Sequence, residues 1–192
     1  MTADESYPAP SSSVAEPGPG AGFDTVSHSR VELVLDSHRI SAELRYSGPP
    51  RRLVDVLNAM DGPYFPLYAA QIEDLFGAEQ APERFELIHI TRDAVLFAVP
   101  RDDYRPSGSS ELVRKVPVSA LLLLPGFSVR GNIHLVPDLE PRSVSMLGHR
   151  HFIPMTEVAV VSSRRDGPTW HEPLLLVNLA RAQLYGPQPQ AR

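Results

Sequence analysis

The chain carries the same hydrophobic pattern twice, in two stretches of about seventy of its 192 residues each. Matching blocks keep their order and lie 88 to 90 positions apart, so insertions and deletions fall between them, where loops are tolerated. The clearest pairs are Val31–Leu35 with Ala120–Leu124, Arg52–Leu57 with Arg142–Leu147, and Tyr64–Leu67 with Phe152–Met155. A repeat constrains the fold more than any single motif, because both copies must form the same structural unit.

Alternation of apolar and polar residues predicts that each copy begins with a hairpin of two strands. Alternate side chains of Val31–Leu35 share one face, and residues 40–46 repeat the alternation after a turn at 37–38. The second copy has Pro125 and Gly126 at the turn, where glycine can adopt a positive φ.

The middle of each copy predicts a short helix followed by further strands. Apolar residues of 51–60 have the spacing of a helix of roughly one to two turns. Residues 69–76 look helical alone, but their counterpart at 157–162 is typical of a strand, and equivalence in the repeat favours a strand. Two more strands, joined by a tight turn at 92–93, complete the copy.

The predicted fold class is all-β with short helical turns, formed by two tandem small β-barrels that pack against each other. About five short, bent strands in each copy can close around one core, and closure leaves no free strand edge. Units of this size bury a limited fraction of their surface, so we expect contact between the two. Composition indicates a disordered acidic tail at 1–28, repeat one at 29–100, a linker at 101–112, repeat two at 113–187 and a tail at 188–192.

The residue types and motifs that are missing from the sequence exclude several classes of functional site. The chain has no cysteine, which excludes disulfides, a thiolate nucleophile and Cys-ligated metal sites. No leader sequence and no apolar run of membrane-spanning length occurs, so we expect a cytoplasmic protein without membrane contact. A metal cluster of His149, His151, His171 and Glu172 is an alternative to solvated loop histidines, but no recognised ligand spacing supports it. Without a Gly-x-Ser-x-Gly turn or a phosphate-binding loop, we predict no catalytic residue, metal, cofactor or enzymatic activity.

The order of these elements resembles that of Sm-like small barrels. Each copy has a small residue in the second strand (Ala42, Gly131), and the first copy follows it with Asp-x-Leu-Asn at 55–58. The chain also resembles an uncharacterised bacterial domain family in which Arg-Leu-x-Asp-x-Leu-Asn precedes Phe-x-Pro-Leu and a late hydrophobic hairpin. Sm-like proteins space the Asp and Asn further apart, and the second copy has Ser145 and Gly148 at these places. The resemblance therefore implies a fold, whereas RNA binding does not follow from matching residues.

Arg51, Arg52, Asp55 and Asn58 are the candidate binding residues, on one rim of the first copy. The two arginines either contact phosphates or are solvated loop charges. Asp55 and Asn58 either bind a ligand or close backbone groups at the helical turn. The leading expectation is a non-enzymatic interaction or assembly module with a protein partner or a further copy of the chain. The alternative is an Sm-like RNA-binding protein or a ligand-binding regulatory protein; no DNA partner is expected.

Overall fold

The structure is a computed structural model that describes residues 25–77, 81–102, 115–136 and 151–187. The first half, up to residue 102, contains β1 (Val26–Val34), β2 (His38–Ser47), α1 (Leu53–Ala59), β3 (Tyr64–Asp74), β4 (Glu83–Thr91), a 3₁₀ turn (Arg92–Ala94) and β5 (Phe97–Pro100). The second half contains β6 (Val116–Leu124), β7 (Phe127–Leu135), β8 (Phe152–Ser162), β9 (Thr169–Asn178), a 3₁₀ turn (Leu179–Arg181) and β10 (Leu184–Pro187). The predicted all-β class is confirmed.

All ten strands form one antiparallel sheet, in the order β10-β6-β7-β8-β9-β5-β1-β2-β3-β4. The halves meet where β5 pairs with β9. Among the described strands, β4 and β10 each have a neighbour on one side only, so the sheet is not closed. This differs from the predicted barrels without free edges. The physical reason is that the four-residue β5 already has β1 on one side and β9 on the other, which leaves no side for β4.

The two halves bend at matching places. A register shift interrupts the β2·β3 ladder between Ser41 and Glu43, and another interrupts β7·β8 between Arg130 and Asn132. The extra residue of each bulge lies in β3 or β8, where Ala69 has a φ of 48° and Glu157 a φ of 53°, in the left-handed region. A bulge bends its strand and increases the local twist, so each half curves at the same point of its sheet.

Most local predictions are confirmed. The helix expected at 51–60 is α1, and residues 69–74 continue a strand rather than a helix. Gly126 has a φ of 74° in the predicted turn. The strand β1 begins inside the stretch assigned to the tail, because residues 26–28 pair with β2 from Ser47 onward. The second-copy helix segment at 142–147, residues 1–24 of the predicted tail, the linker from 103 onward and residues 188–192 lie outside the described residues.

The two hydrophobic cores exchange side chains between the halves. Phe152 of β8 packs in the core of the first half, with its ring centroid 6.1 Å from that of Phe65. In return, Phe97 of β5 packs in the core of the second half, 5.7 Å from Phe127. Both exchanged side chains are fully buried. Burial of a Phe side chain contributes about 1.5–3 kcal/mol, so the exchange holds the halves together.

Candidate functional site

Three of the four predicted site residues lie together on the surface at the start of α1. The Arg52 guanidinium donates to both carboxylate oxygens of Asp55, at 2.7 Å and 3.1 Å. The backbone N–H of Arg51 donates to the Tyr46 hydroxyl at 3.2 Å, and its Nη2 lies 3.4 Å from the Ser47 carbonyl oxygen. The first-turn position of Asp55 also suits the positive end of the helix. These contacts give each of the three residues a structural role.

Asn58 points away from the other three residues, into the contact between the halves. Its Nδ2 donates to the carbonyl oxygen of Phe152 at 2.9 Å, and its Oδ1 accepts from the Phe152 N–H at 2.9 Å. The side-chain amide thus binds the backbone of β8 as a neighbouring strand would. The structure therefore separates Asn58 from the rim that the sequence predicts.

Carboxylates accompany the arginines near this rim. The Nε atom of Arg30 lies 3.2 Å from Asp102, and that of Arg45 lies 3.3 Å from Glu43. The neighbouring surface concavity is lined by residues of both signs, including His28, Arg30, Glu43 and Asp102. A phosphate backbone approaching here meets alternating charges rather than a positive stripe.

A second concavity, of about 320 Å³, lies between the halves. Its walls are mainly apolar, and Arg30, Arg52 and Asp102 are among the residues that line it. Leu53 and Val54 come from α1, while Leu174 and Leu176 come from β9. The space follows from packing a helix of one half against a strand of the other.

The strand contact between the halves is fixed by Asn178, which is fully buried at the end of β9. Its N–H donates to the Leu96 carbonyl at 2.9 Å. Its Nδ2 donates to the carbonyl oxygens of Val95 and Arg92, at 2.9 Å and 3.2 Å, and its Oδ1 accepts from the Ala180 N–H at 3.1 Å. One side chain therefore satisfies backbone groups in both 3₁₀ turns.

Beyond this strand contact lies an ion triad formed by Arg101, Glu32 and Glu172. The two terminal nitrogens of Arg101 donate to the two carboxylate oxygens of Glu172, at 3.0 Å and 2.8 Å. The Nε and Nη2 atoms of Arg101 also donate to Glu32, at 3.3 Å and 3.1 Å. The glutamate side chains are only 12% and 10% exposed, whereas that of Arg101 is 41% exposed. The bonds to Glu172, followed by the nearby charge of Glu32, raise the pKa of Arg101 against the effect of burial.

The free edge strand β4 occupies the place in the first half that β9 occupies in the second. The ladders align Phe85 with Glu172, Leu87 with Leu174, and Ile90 with Val177. Leu175–Asn178 of β9 are buried next to β5, whereas Phe85 is 40% and Leu87 46% exposed on β4. Two large apolar side chains therefore lie on a strand whose outer backbone edge has no partner among the described strands.

Carboxyl groups at the end of β3 serve the fold. Hydrogen bonds from Arg39 and Gln71 lower the pKa of Glu73. The N–H groups of Phe76 and Gly77, which donate to Asp74 at 2.7 Å and 2.8 Å, lower the pKa of that carboxyl. Both groups are held ionised by local structure, which does not prepare them to donate a proton near neutral pH.

The histidines singled out in the sequence do not gather around a common point where the structure describes them. His151 and His171 are exposed, and Glu172 binds Arg101; His149 lies outside the described residues. No group of three or more metal-ligating side chains occurs within the described ranges. In the same ranges, every helix is too short and too polar to cross a bilayer.

Sequence reasoning missed the ion triad and Asn178. Arg101 falls in the predicted linker, and its partners are 69 and 71 residues away. A signal was nevertheless present, because the two copies differ in charge at matching positions: Glu32 corresponds to Leu121, and Glu172 to Phe85. At these two positions, the charge occurs only in the copy that contributes it to the contact between the halves.

Comparison with known proteins gives no relative: no family model, no curated protein and no solved structure matches this chain.

Proposed function

We propose that this protein is a non-enzymatic assembly module in which two tandem Sm-like units pair, through free strand edges, with further copies of the chain. The observation that carries the proposal is the contact between the halves. There, the last strand of the first half, β5, pairs with the fourth strand of the second half, β9. The strands in the corresponding places, β10 and β4, are the two free edges of the sheet that the described strands form.

The Sm-like description is supported by the equal order of elements in the two halves. In each half the last strand pairs with the first, and the second, third and fourth strands follow in order. A 3₁₀ turn joins the fourth strand to the last in both, and the bulges lie at matching places. Two copies of one bent five-stranded unit account for this agreement.

The internal contact also supplies a register for pairing between chains. Phe97 lies opposite Val177, and Ala98 opposite Leu176. The same register places Leu184 of one chain opposite Ile90 of the next, and Tyr185 opposite His89. Such a contact joins two different surfaces, so successive chains form either a closed ring or an open filament.

The chemistry of β4 favours a partner. An unpaired edge offers backbone N–H and C=O groups to another strand, and an exposed apolar patch is typical of an interaction site. Phe85 and Leu87 provide that patch. Backbone pairing supplies the affinity, and these side chains add apolar burial.

Light scattering coupled to size exclusion tests the proposal on the full chain. We expect a mass that is a multiple of 21.1 kDa at micromolar concentration. Leu87→Lys shifts the population to the monomer, because pairing buries the charge. Val161→Lys is the matched control: Val161 is 41% exposed on β8, which has a neighbouring strand on both sides, so its substitution leaves the mass unchanged. A wild-type chain that is monomeric throughout contradicts assembly.

RNA binding is the alternative to assembly, and the rim of Arg51 and Arg52 is its candidate site. It has less support, because carboxylates accompany the neighbouring arginines and Asn58 is engaged with β8. The test is fluorescence anisotropy of mixed single-stranded RNA at low and moderate salt. We expect no salt-sensitive binding. Affinity that falls steeply with salt, and that weakens in the Arg51→Ala, Arg52→Ala double variant, instead establishes the RNA role.

A further inference from the structure

We propose that the ion triad of Arg101, Glu32 and Glu172 selects which strands pair, so that β5 joins β9 of its own chain and leaves β4 for β10 of another copy. This inference rests on the proposed assembly, and it adds the side chains that give the assembly its specificity.

The correct strand pairs must be selected because each chain has two last strands and two fourth strands. Both β5 and β10 are last strands of four residues, and both β4 and β9 are fourth strands with matching ladders. Backbone hydrogen bonds form equally well in all four combinations, since they do not depend on side-chain identity. Correct assembly therefore requires side chains that differ between the two contacts.

The residues at the three triad positions differ between the internal contact of β5 with β9 and the proposed external contact of β10 with β4. Where β5 meets β9, they are Arg101, Glu32 and Glu172. At the places that match Glu32 and Glu172, the chain has Leu121 and Phe85. In sequence, Gln188 comes directly after β10 as Arg101 comes directly after β5. At these positions the internal contact is thus ionic, whereas the external contact is apolar.

We call it exchanged pairing when β5 pairs with β4 of another copy, or when β10 pairs with β9. Both of these strand pairs are energetically costly. If β5 pairs with β4 of another copy, Arg101 faces Phe85 and loses its forked bond to Glu172. If β10 pairs with β9, Glu172 faces Leu121 without a cation. A carboxylate that is only 10% exposed and lacks its partner charge is strongly unfavourable. The triad therefore acts mainly by penalising the wrong partner.

The absence of cysteine from the chain permits a direct test by disulfide trapping. One chain carries His89→Cys on β4. It is mixed with a mass-tagged chain that carries either Tyr185→Cys on β10 or Ala98→Cys on β5, and the mixture is refolded together and oxidised. The first combination reports the proposed assembly, and the second reports exchanged pairing. Intact mass spectrometry measures each mixed disulfide.

We expect the Tyr185→Cys mixture to give the mixed disulfide at least about tenfold more often than the Ala98→Cys mixture, as a preference of 1.4 kcal/mol or more requires. Arg101→Glu in the Ala98→Cys chain brings three carboxylates together and raises exchanged pairing about tenfold. Adding Glu172→Arg to the same chain restores a pair of opposite charges between positions 101 and 172. This returns exchanged pairing to its original level. A merely destabilising substitution is not rescued in this way.

The outcomes separate the two proposals. If the Tyr185→Cys mixture gives no mixed disulfide, edge assembly fails, and selection fails with it. If that disulfide forms, but exchanged pairing is equally frequent or does not respond to Arg101→Glu, assembly stands and selection is wrong. Should Arg101→Glu prevent folding, the Arg101→Gln, Glu172→Phe double variant takes its place. It introduces the residues found at the matching positions and is expected to increase exchanged pairing.

Discussion

At the scale of single residues, two asparagines join the halves more specifically than the apolar cores do. Asn58 binds the backbone of Phe152 in the opposite half through both polar atoms of its side-chain amide, whereas Asn178 binds the opposite half through Nδ2 and its own half through Oδ1. Asn178 is fully buried, so its bonds are shielded from water. A buried amide that is completely satisfied specifies one arrangement, because any shift of the backbone leaves donors and acceptors unpaired.

Replacing Asn58 by Ala tests this role. The substitution removes one donor and one acceptor from the backbone of Phe152, and we expect a loss of about 1–3 kcal/mol in the free energy of unfolding. Asn132→Ala is the control, because the Asn132 amide binds Glu157 at an exposed site. That variant should lose at most about 0.5 kcal/mol. Urea denaturation measures both values, and equal effects contradict a special role for Asn58.

These residue-level contacts could not be predicted from the sequence. Helical spacing correctly placed Asn58 on a short helix, since that property depends on neighbours within a few positions. Its partner Phe152 is 94 residues away in the chain, and no local pattern encodes such a contact. The rim of Arg51, Arg52, Asp55 and Asn58 was predicted from proximity in sequence, whereas the structure turns the last of them into the contact between the halves.

At the scale of elements, the bulges explain the small residues in the second strands. A Cβ atom on Gly131 would lie 2.9 Å from the Thr156 carbonyl oxygen and 3.0 Å from Cγ2 of Val158. At the matching place β2 carries Ala42, which is nearly buried. Close approach of β8 at its bend therefore requires glycine in β7, while the first half accommodates one methyl group.

Gly131→Ala should destabilise the protein by about 1–3 kcal/mol, because overpacking forces the backbone or Val158 to shift. Gly186→Ala is the matched substitution within a strand, since a Cβ atom there meets nothing within 4 Å. We expect little change in its thermal unfolding midpoint. Similar midpoints for the two variants argue against steric control at the bulge.

Strands, turns and the helix were predictable because their signals are periodic and local. The repeat improved the result: residues 69–76 have a helical pattern, and only comparison with 157–162 favoured the strand that β3 forms. The prediction that each half closes into a barrel was wrong for a different reason. Whether a last strand pairs within its own half or with the other half depends on nonlocal contacts, such as those of Asn178 and Arg101, which periodicity does not contain.

At the scale of the whole molecule, the chain forms one sheet with two cores that share side chains. Val34, Leu96 and Phe97 of the first half complete the core of the second. Phe152 and Leu176 of the second half complete the core of the first. Neither half has a full set of core residues on its own, so the unit that folds is the pair. The free edges of the complete molecule then determine which further contacts it can make.

The position of β5 between β1 and β9 has a consequence for protein synthesis. A ribosome makes β5 well before β9, so the nascent first half presents the outer side of β5 and the Phe97 ring while their partners are still untranslated. If the first half of another chain has already folded at that moment, its β4 is an alternative partner for β5. Arg101 is translated directly after β5 and places a cation beside that strand, opposite the apolar Phe85 of that other chain. In the proposed selection, Arg101 is therefore present at the edge of β5 before its partner Glu172 has been made.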